Sequence, residues 1–303
     1  MELSILIMKQ LLVMFSLSGI GFLLAKLKLI SYEGCKELVN LLLYAVIPLT
    51  VLNSFLVEKT PEKTQLLLYS LLLSLAVFAV SMLLSYIIYG KRKRVENFSA
   101  AFSNAGFIGI PLVQATVGPR AVFYIAGFVA FLNIFQWIYG AYVMGAERRM
   151  ISFQVIAKNA VLLSFITGFT LYLCDLGNIL FIKDIANTVA NMNSPLAMII
   201  IGVYMSQISF MRMLQRESSY ICSLWLFVIP LASLGLLAVI PLDCYEVKVA
   251  ICIVLSAPVG ANVAMFAQKF HQDYTYAVEI VILSTLMSVV TLPLIVYAAQ
   301  IVL

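Results

Sequence analysis

Two stretches of this chain combine helix-breaking residues with side-chain amides. One runs from Asn104 through Gly106, Gly109 and Pro111 to Gln114. The other runs from Leu255 through Pro258 and Gly260 to Asn262. A proline lacks the backbone N–H and its ring clashes with the carbonyl four residues back. Pro111 therefore frees the carbonyl of Phe107, and Pro258 frees that of Val254. Nearby glycines ease unwinding and leave the backbone approachable. Such residues bring donors and acceptors suited to holding a ligand, and no catalytic His/Cys/Asp cluster lies among them. Half-helices starting at these breaks carry partial positive charge at their N-termini and suit an anion. Asn104, Gly106, Gly109, Pro111, Gln114, Pro258, Gly260 and Asn262 are the expected ligand-binding residues, and Pro48 with Asn53, and Asn191 and Asn193 with Pro195, border the same region.

For one proline taken alone, a packing kink is the plainer reading. The paired arrangement shifts the balance toward a cavity near the midplane. The other amides, Asn40, Asn133, Gln136 and Asn187, read as helix-to-helix hydrogen bonding. Glu279 is the one carboxylate placed to lie below a membrane surface, which makes it a candidate proton or cation site. Its neighbours His271 and Asp273 equally suit the interface. No carboxylate adjoins Pro111 or Pro258, which disfavours a carrier holding a cation between paired aspartates at that point. The five cysteines show no CxxC pair and lie mostly in apolar runs, as small hydrophobes do. With one histidine there is no multi-histidine metal site, no cofactor is expected, and nothing supports a catalytic triad. The expected catalytic residues are none, and the chain is not expected to be an enzyme. No phosphate-binding G-x-x-x-x-G-K-[ST] run is present either.

The elements that must position these residues follow from composition. Of 303 residues, 63% are hydrophobic and 11% charged, and mean hydropathy is +1.05. Soluble domains carry about 25% charged residues, so a soluble enzyme, a nucleic-acid binder and a disordered scaffold are excluded. Ten charge-free windows are long enough for membrane helices of roughly 20 residues: 10–25, 38–57, 64–90, 97–119, 121–146, 159–174, 185–211, 218–242, 249–268 and 280–303. The two shortest extend past the snorkelling Lys9 and Lys158. A β-barrel would need short alternating strands instead. A signal-peptide reading of the first window is disfavoured by its single Lys9 and lack of a clean cleavage site. An all-α membrane protein of about ten helices is the expectation.

Lysines and arginines then set the orientation. One set of loops holds Lys26, Lys28, Lys36, Lys91–Arg94, Arg148, Arg149, Arg212, Arg216 and Lys269; the other holds Lys59, Lys63, Arg120, Lys183 and Lys248. The first set is expected in the cytoplasm, with both termini outside. The run 91–94 is a topology signal and a contact for anionic lipids. Ten helices divide into two fives, and an odd repeat enters the membrane upside down. Pro48 with Pro195 and Pro111 with Pro258 share a spacing of 147 residues. The basic loop at 91–94 is matched after helix 8 by a loop carrying Asp243 and Glu246. The expected units are 1–150 and 151–303, the second inverted, with helices 4 and 9 broken and crossing at Pro111 and Pro258.

The segment Asn104 to Pro111, the run Tyr44 to Pro48, Ala257-Pro258 and the closing Ser284 to Pro293 together resemble the auxin efflux carrier family. Its bacterial members are often described as malate or malonate permeases. The resemblance spans the whole chain and implies a five-plus-five inverted fold whose broken helices 4 and 9 cross, with Asn104, Gly106, Gly109, Pro111 and Pro258 at the crossover. It further implies a secondary transporter of small organic anions, commonly carboxylates, working by an elevator or rocking motion. Expected partners are the anion, protons or sodium as coupling ion, membrane lipids and a second copy in a homodimer, with no nucleic acid. The long cytoplasmic domain of plant members between helices 5 and 6 is absent, and auxin itself does not follow as substrate. Two alternatives stand beside this reading. One is a sodium-coupled carrier of the related bile-acid symporter architecture, using Gln114, Gln268 and Glu279. The other is a membrane sensor, disfavoured by the lack of an output domain.

Overall fold

The computed structural model describes residues 2–145, 156–176, 180–207 and 217–303. Arg148, Arg149, Arg212 and Arg216, and the expected boundary at 150/151, lie outside the described residues. α1 is Glu2–Lys26. α2 runs as Tyr32–Leu41, a π turn at Leu42–Val46, and Ile47–Ser54. α3 is Pro61–Tyr89. α4 comes in two pieces: α4a, Arg94–Ala101, and α4b, a π turn at Ala105–Gly109 continuing as Ile110–Thr116. α5 runs as Ala121–Phe135, a π turn at Gln136–Gly140, and Ala141–Met144. α6 is Ala160–Leu173, and α7 is Leu180–Ala190 followed by Asn193–Ser206. α8 is Glu217–Val239. α9a is Tyr245–Leu255, α9b is Asn262–Lys269, and α10 is Tyr274–Val302.

Among the described residues, seven helices are long and apolar enough to cross a membrane. They are α1, α2, α3, α5, α7, α8 and α10. The other three of the ten expected passes are special cases. α4 and α9 are each interrupted, and α6 has only 14 residues.

Local chemistry sets the helix ends. Ser31 Oγ accepts from the Gly34 amide at 2.9 Å, and Asp273 Oδ1 accepts from Tyr276 N at 2.8 Å. At the start of α3, Thr60 accepts from Lys63 N while Pro61 occupies the first turn, where a missing N–H costs nothing.

Two bundles result from the packing. α1 lies along α7, α2 along α6, and α2 crosses α7; α3, α4, α5, α8, α9 and α10 make the second bundle. With no water to drive helices together, association in lipid depends on close packing. The α1–α7 contact shows this: a Cβ on Gly21 would run into the backbone of Ile199, and one on Gly202 into the backbone of Ser18. The pairings also respect an exchange of each helix with the one five later. α1–α7 answers to α6–α2, α3–α5 to α8–α10, and α3–α9a to α8–α4a.

Pro111 does not break α4, contrary to the sequence expectation. It sits in the first turn of the Ile110–Thr116 helix, just after the π turn. A π turn shifts the hydrogen-bond register by one residue, so that Ile110 N reaches Ala105 O. That shift absorbs the donor that proline lacks, and the helix continues. Pro48 follows the π turn of α2 in the same way. The interruption of α4 lies upstream, at 102–104, where Phe102 takes an extended backbone. Pro111 and Pro258 are therefore not equivalent positions, and their shared spacing does not mark the crossing.

Candidate functional site

The crossing is a short antiparallel bridge between Ser103 and Val259. Asn104 N donates to Pro258 O at 2.6 Å, and Gly260 N donates to Phe102 O at 3.3 Å. Ser103 Oγ donates to Val254 O at 2.6 Å. This is the carbonyl that Pro258 was expected to free. Val259 N donates to Ser284 Oγ on α10 at 3.1 Å. Each interruption thus satisfies the other's backbone, as a non-helical segment inside lipid requires. Gly260 permits the approach, since a Cβ there would stand 3.1 Å from Ser103 O.

Asn104 caps α4b. Its Oδ1 accepts from Phe107 N at 3.3 Å, which fixes the amide and leaves Nδ2 as its donor. Asn104 is 4% exposed, and Nδ2 has no hydrogen-bond partner. It lines a crevice of about 30 Å³ together with Ser103, Gly106 and Gly260. That crevice shares Leu43, Asn133, Val161 and Asn262 with a larger cavity of about 330 Å³. The larger cavity lies between the two bundles, walled by α2, α5, the start of α6, and α9b. Inside it, Asn262 Nδ2 donates to Gln136 Oε1 at 2.9 Å. Gln136 is 2% exposed, and its Nε2 is also without a partner. Across the α5–α6 seam, Asn159 Nδ2 donates to Asn133 Oδ1 at 3.2 Å, while Asn159 Oδ1 caps α6 through Val161 N and Leu162 N. A buried donor left unpaired costs about 1–3 kcal/mol. Both unpaired donors belong to residues that line these adjoining cavities.

The structure brings together Asn104, Gly106, Gly260 and Asn262 on the cavity walls, with Pro258 in the crossing itself. Gly106 O also accepts from Asn193 Nδ2 at 3.1 Å, which ties α4b to α7. Three expected ligand residues stand elsewhere. Gly109 packs on Val254, where a Cβ would lie 3.1 Å from Cγ1. Pro111 is buried within α4b. Gln114, further along that helix, lines neither cavity. Glu279 is 4% exposed within α10 and is also outside both walls. Gln268 is exposed, so the trio expected of a sodium-coupled carrier does not line the cavities.

Sequence reasoning missed Ser103, Ser284, Asn133, Gln136 and Asn159. A serine beside a break carries little signal among so many serines. Asn133 and Gln136 of α5 read as inter-helix hydrogen bonding, which they also perform: Asn133 Oδ1 accepts from Asn159 on α6 and Gln136 Oε1 accepts from Asn262 on α9b, while Asn187, read the same way, accepts from Asn53 Nδ2 at 3.5 Å.

A helical membrane protein with two broken helices crossing beside a polar cavity between bundles has the build of a polytopic transporter. A family profile described as membrane transport protein matches residues 6–159 and 151–296. The chain belongs to this family, that of the auxin efflux carriers. No curated protein matches it.

Proposed function

We propose that this membrane transport protein is a secondary transporter moving a small organic anion, a carboxylate, across the cytoplasmic membrane by alternating access. The observation that carries this reading is the pair of buried unpaired donors, Asn104 Nδ2 and Gln136 Nε2, on residues of two adjoining cavities whose walls, among the described residues, hold no carboxylate. Carboxylate oxygens accept such donors, and a hydrogen bond to a charged group contributes about 1.5–3 kcal/mol.

Alternating access draws support from where the larger cavity lies. α9b leads from Asn262 at the crossing to Lys269, and Lys269 Nζ stands 4.5 Å over the ring of Trp137. The cavity contacts α9b at Asn262, Met265 and Phe266, so it lies along the half-helix that leads to the basic Lys269. On the other side of the crossing, α1 and α7 pack on α4b. In this reading the basic loops face the cytoplasm, both termini are outside, and the bundle of α1, α2, α6 and α7 moves relative to the other. Units 1–150 and 151–303 are inverted repeats, which agrees with the exchange symmetry of helix pairing. Glu279 remains the candidate proton or cation site for coupling.

Uptake of labelled malonate into proteoliposomes under an imposed pH or sodium gradient tests the reading. Gradient-driven accumulation that Asn104→Ala impairs is the expected result. Passive leak unaffected by Asn104→Ala, for malonate and for longer carboxylates, overturns it.

A further inference from the structure

Lys158 stands one residue before Asn159, the N-cap of α6. From sequence it is a lysine that lengthens a short membrane helix by snorkelling. In the structure it is exposed and forms part of the wall of the 330 Å³ cavity. Among the described residues it is the only charged group of that wall, and no ion pair engages it. The cavity size falls at the lower end of small-molecule pockets, about 300–1,000 Å³. Two further features point the same way. Ala160 and Val161, in the first turn of the 14-residue α6, share the wall and bring the positive end of a helix to it. Gln136, 2% exposed, lines the same cavity and keeps a buried Nε2 donor without a hydrogen-bond partner. Among the described residues, the cavity wall thus combines an exposed cation with a buried, unpaired donor and holds no acid.

We propose that Lys158 is the residue that selects anions in this pathway. Its ammonium pairs with a carboxylate entering from the side of the basic loops, while the Gln136 and Asn104 amides receive the acceptor oxygens nearer the crossing. The substrate class that fits is a small acid with a free carboxylate and a second oxygen acceptor. The proposal rests on the transport reading, and the test keeps the two apart.

Full-length protein carrying Met265→Cys in the cavity wall and Cys174→Ser is prepared with Lys158, Lys158→Gln or Lys158→Arg. Cys174 is the one exposed cysteine of the five. Modification rates are then measured with a negatively and a positively charged methanethiosulfonate. A unit charge about 6 Å away in water attracts one reagent and repels the other, which amounts to about tenfold in the ratio of their rates. We expect that ratio to fall about tenfold in Lys158→Gln and to be retained in Lys158→Arg. In proteoliposomes made without the cysteine changes, the same Lys158→Gln substitution should raise the KM for malonate about tenfold or more, with kcat changed far less and the melting temperature unaltered. An unchanged rate ratio overturns the proposal, as does an unchanged malonate KM. A fall in melting temperature shared by Lys158→Arg would assign the residue a structural role instead and overturn it equally. If wild-type protein moves no carboxylate at all, the transport reading fails, and the thiol rates still decide whether Lys158 sets the charge preference of the cavity.

Discussion

Asn104 and Ser103 are adjacent and do different work. Ser103 Oγ satisfies the Val254 carbonyl inside the crossing, whereas Asn104 lines the crevice and keeps Nδ2 unpaired. Asn104→Ala should weaken anion binding roughly 10- to 150-fold, the loss of a hydrogen bond to a charged group. Stability read by melting should fall by no more than the loss of one cap, about 0.5–2 kcal/mol, because only the Phe107 contact is lost from the fold. Ser103→Ala leaves a buried carbonyl unpaired and should lower stability by about 1–3 kcal/mol, with affinity largely kept in the fraction that remains folded. Ligand titration and thermal melting on the same purified variants check both outcomes. The reverse pattern would place the ligand at Ser103 and make Asn104 a structural cap.

The behaviour of the broken helices follows from which backbone groups lose partners. Pro111 lies inside α4b behind a π turn, and the crossing is held by Asn104 N to Pro258 O and Gly260 N to Phe102 O. Pro111→Ala should therefore leave the interruption intact and preserve uptake within a few-fold. Gly260→Val puts a branched side chain against Ser103 O, where even a Cβ would sit at 3.1 Å. It should abolish uptake and lower folded yield, as measured by size-exclusion profile and melting. Loss of uptake in Pro111→Ala with normal folding would show that the π turn itself takes part in transport, as such turns often mark functional positions.

For the molecule as a whole, bundle separation and sidedness are the testable properties. Reporter fusions or cysteine labelling should place 91–94 in the cytoplasm and residue 303 outside. Met265→Cys should react with an impermeant reagent added from the cytoplasmic side. A cytoplasmic C-terminus would contradict the ten-pass count together with the inverted repeat. Gly202→Leu has no room against the Ser18 backbone, so it should separate α1 from α7 and cost most of the folded protein, read as loss of the monodisperse peak.

Membrane class, helical passes, family and the break of helix 9 at Pro258 were legible in the sequence, whereas helix 4 was expected to break at Pro111 and breaks at 102–104 instead. Each legible feature depends on composition or on residues near one another in the chain: charge-free length, proline and glycine punctuation, and the Asn104 to Pro111 run. The carbonyl freed by Pro258 was legible too, because proline acts four residues back along its own helix. The tertiary structure decided where the crossing falls. A break inside lipid forms where two chains can satisfy each other's backbone groups. That happens at Ser103 and Val259, 156 positions apart, and not at a proline that a π turn can absorb. It also decided which amides are glue and which face a cavity. Asn133, Gln136 and Asn187 look alike in sequence; only the packing of α5 against α6 and α9b leaves Gln136 with a donor to spare. Lys158 shows the same limit. A lysine at the end of an apolar helix reads as an anchor, and its place in a cavity wall exists only once α2, α5 and α9b surround it.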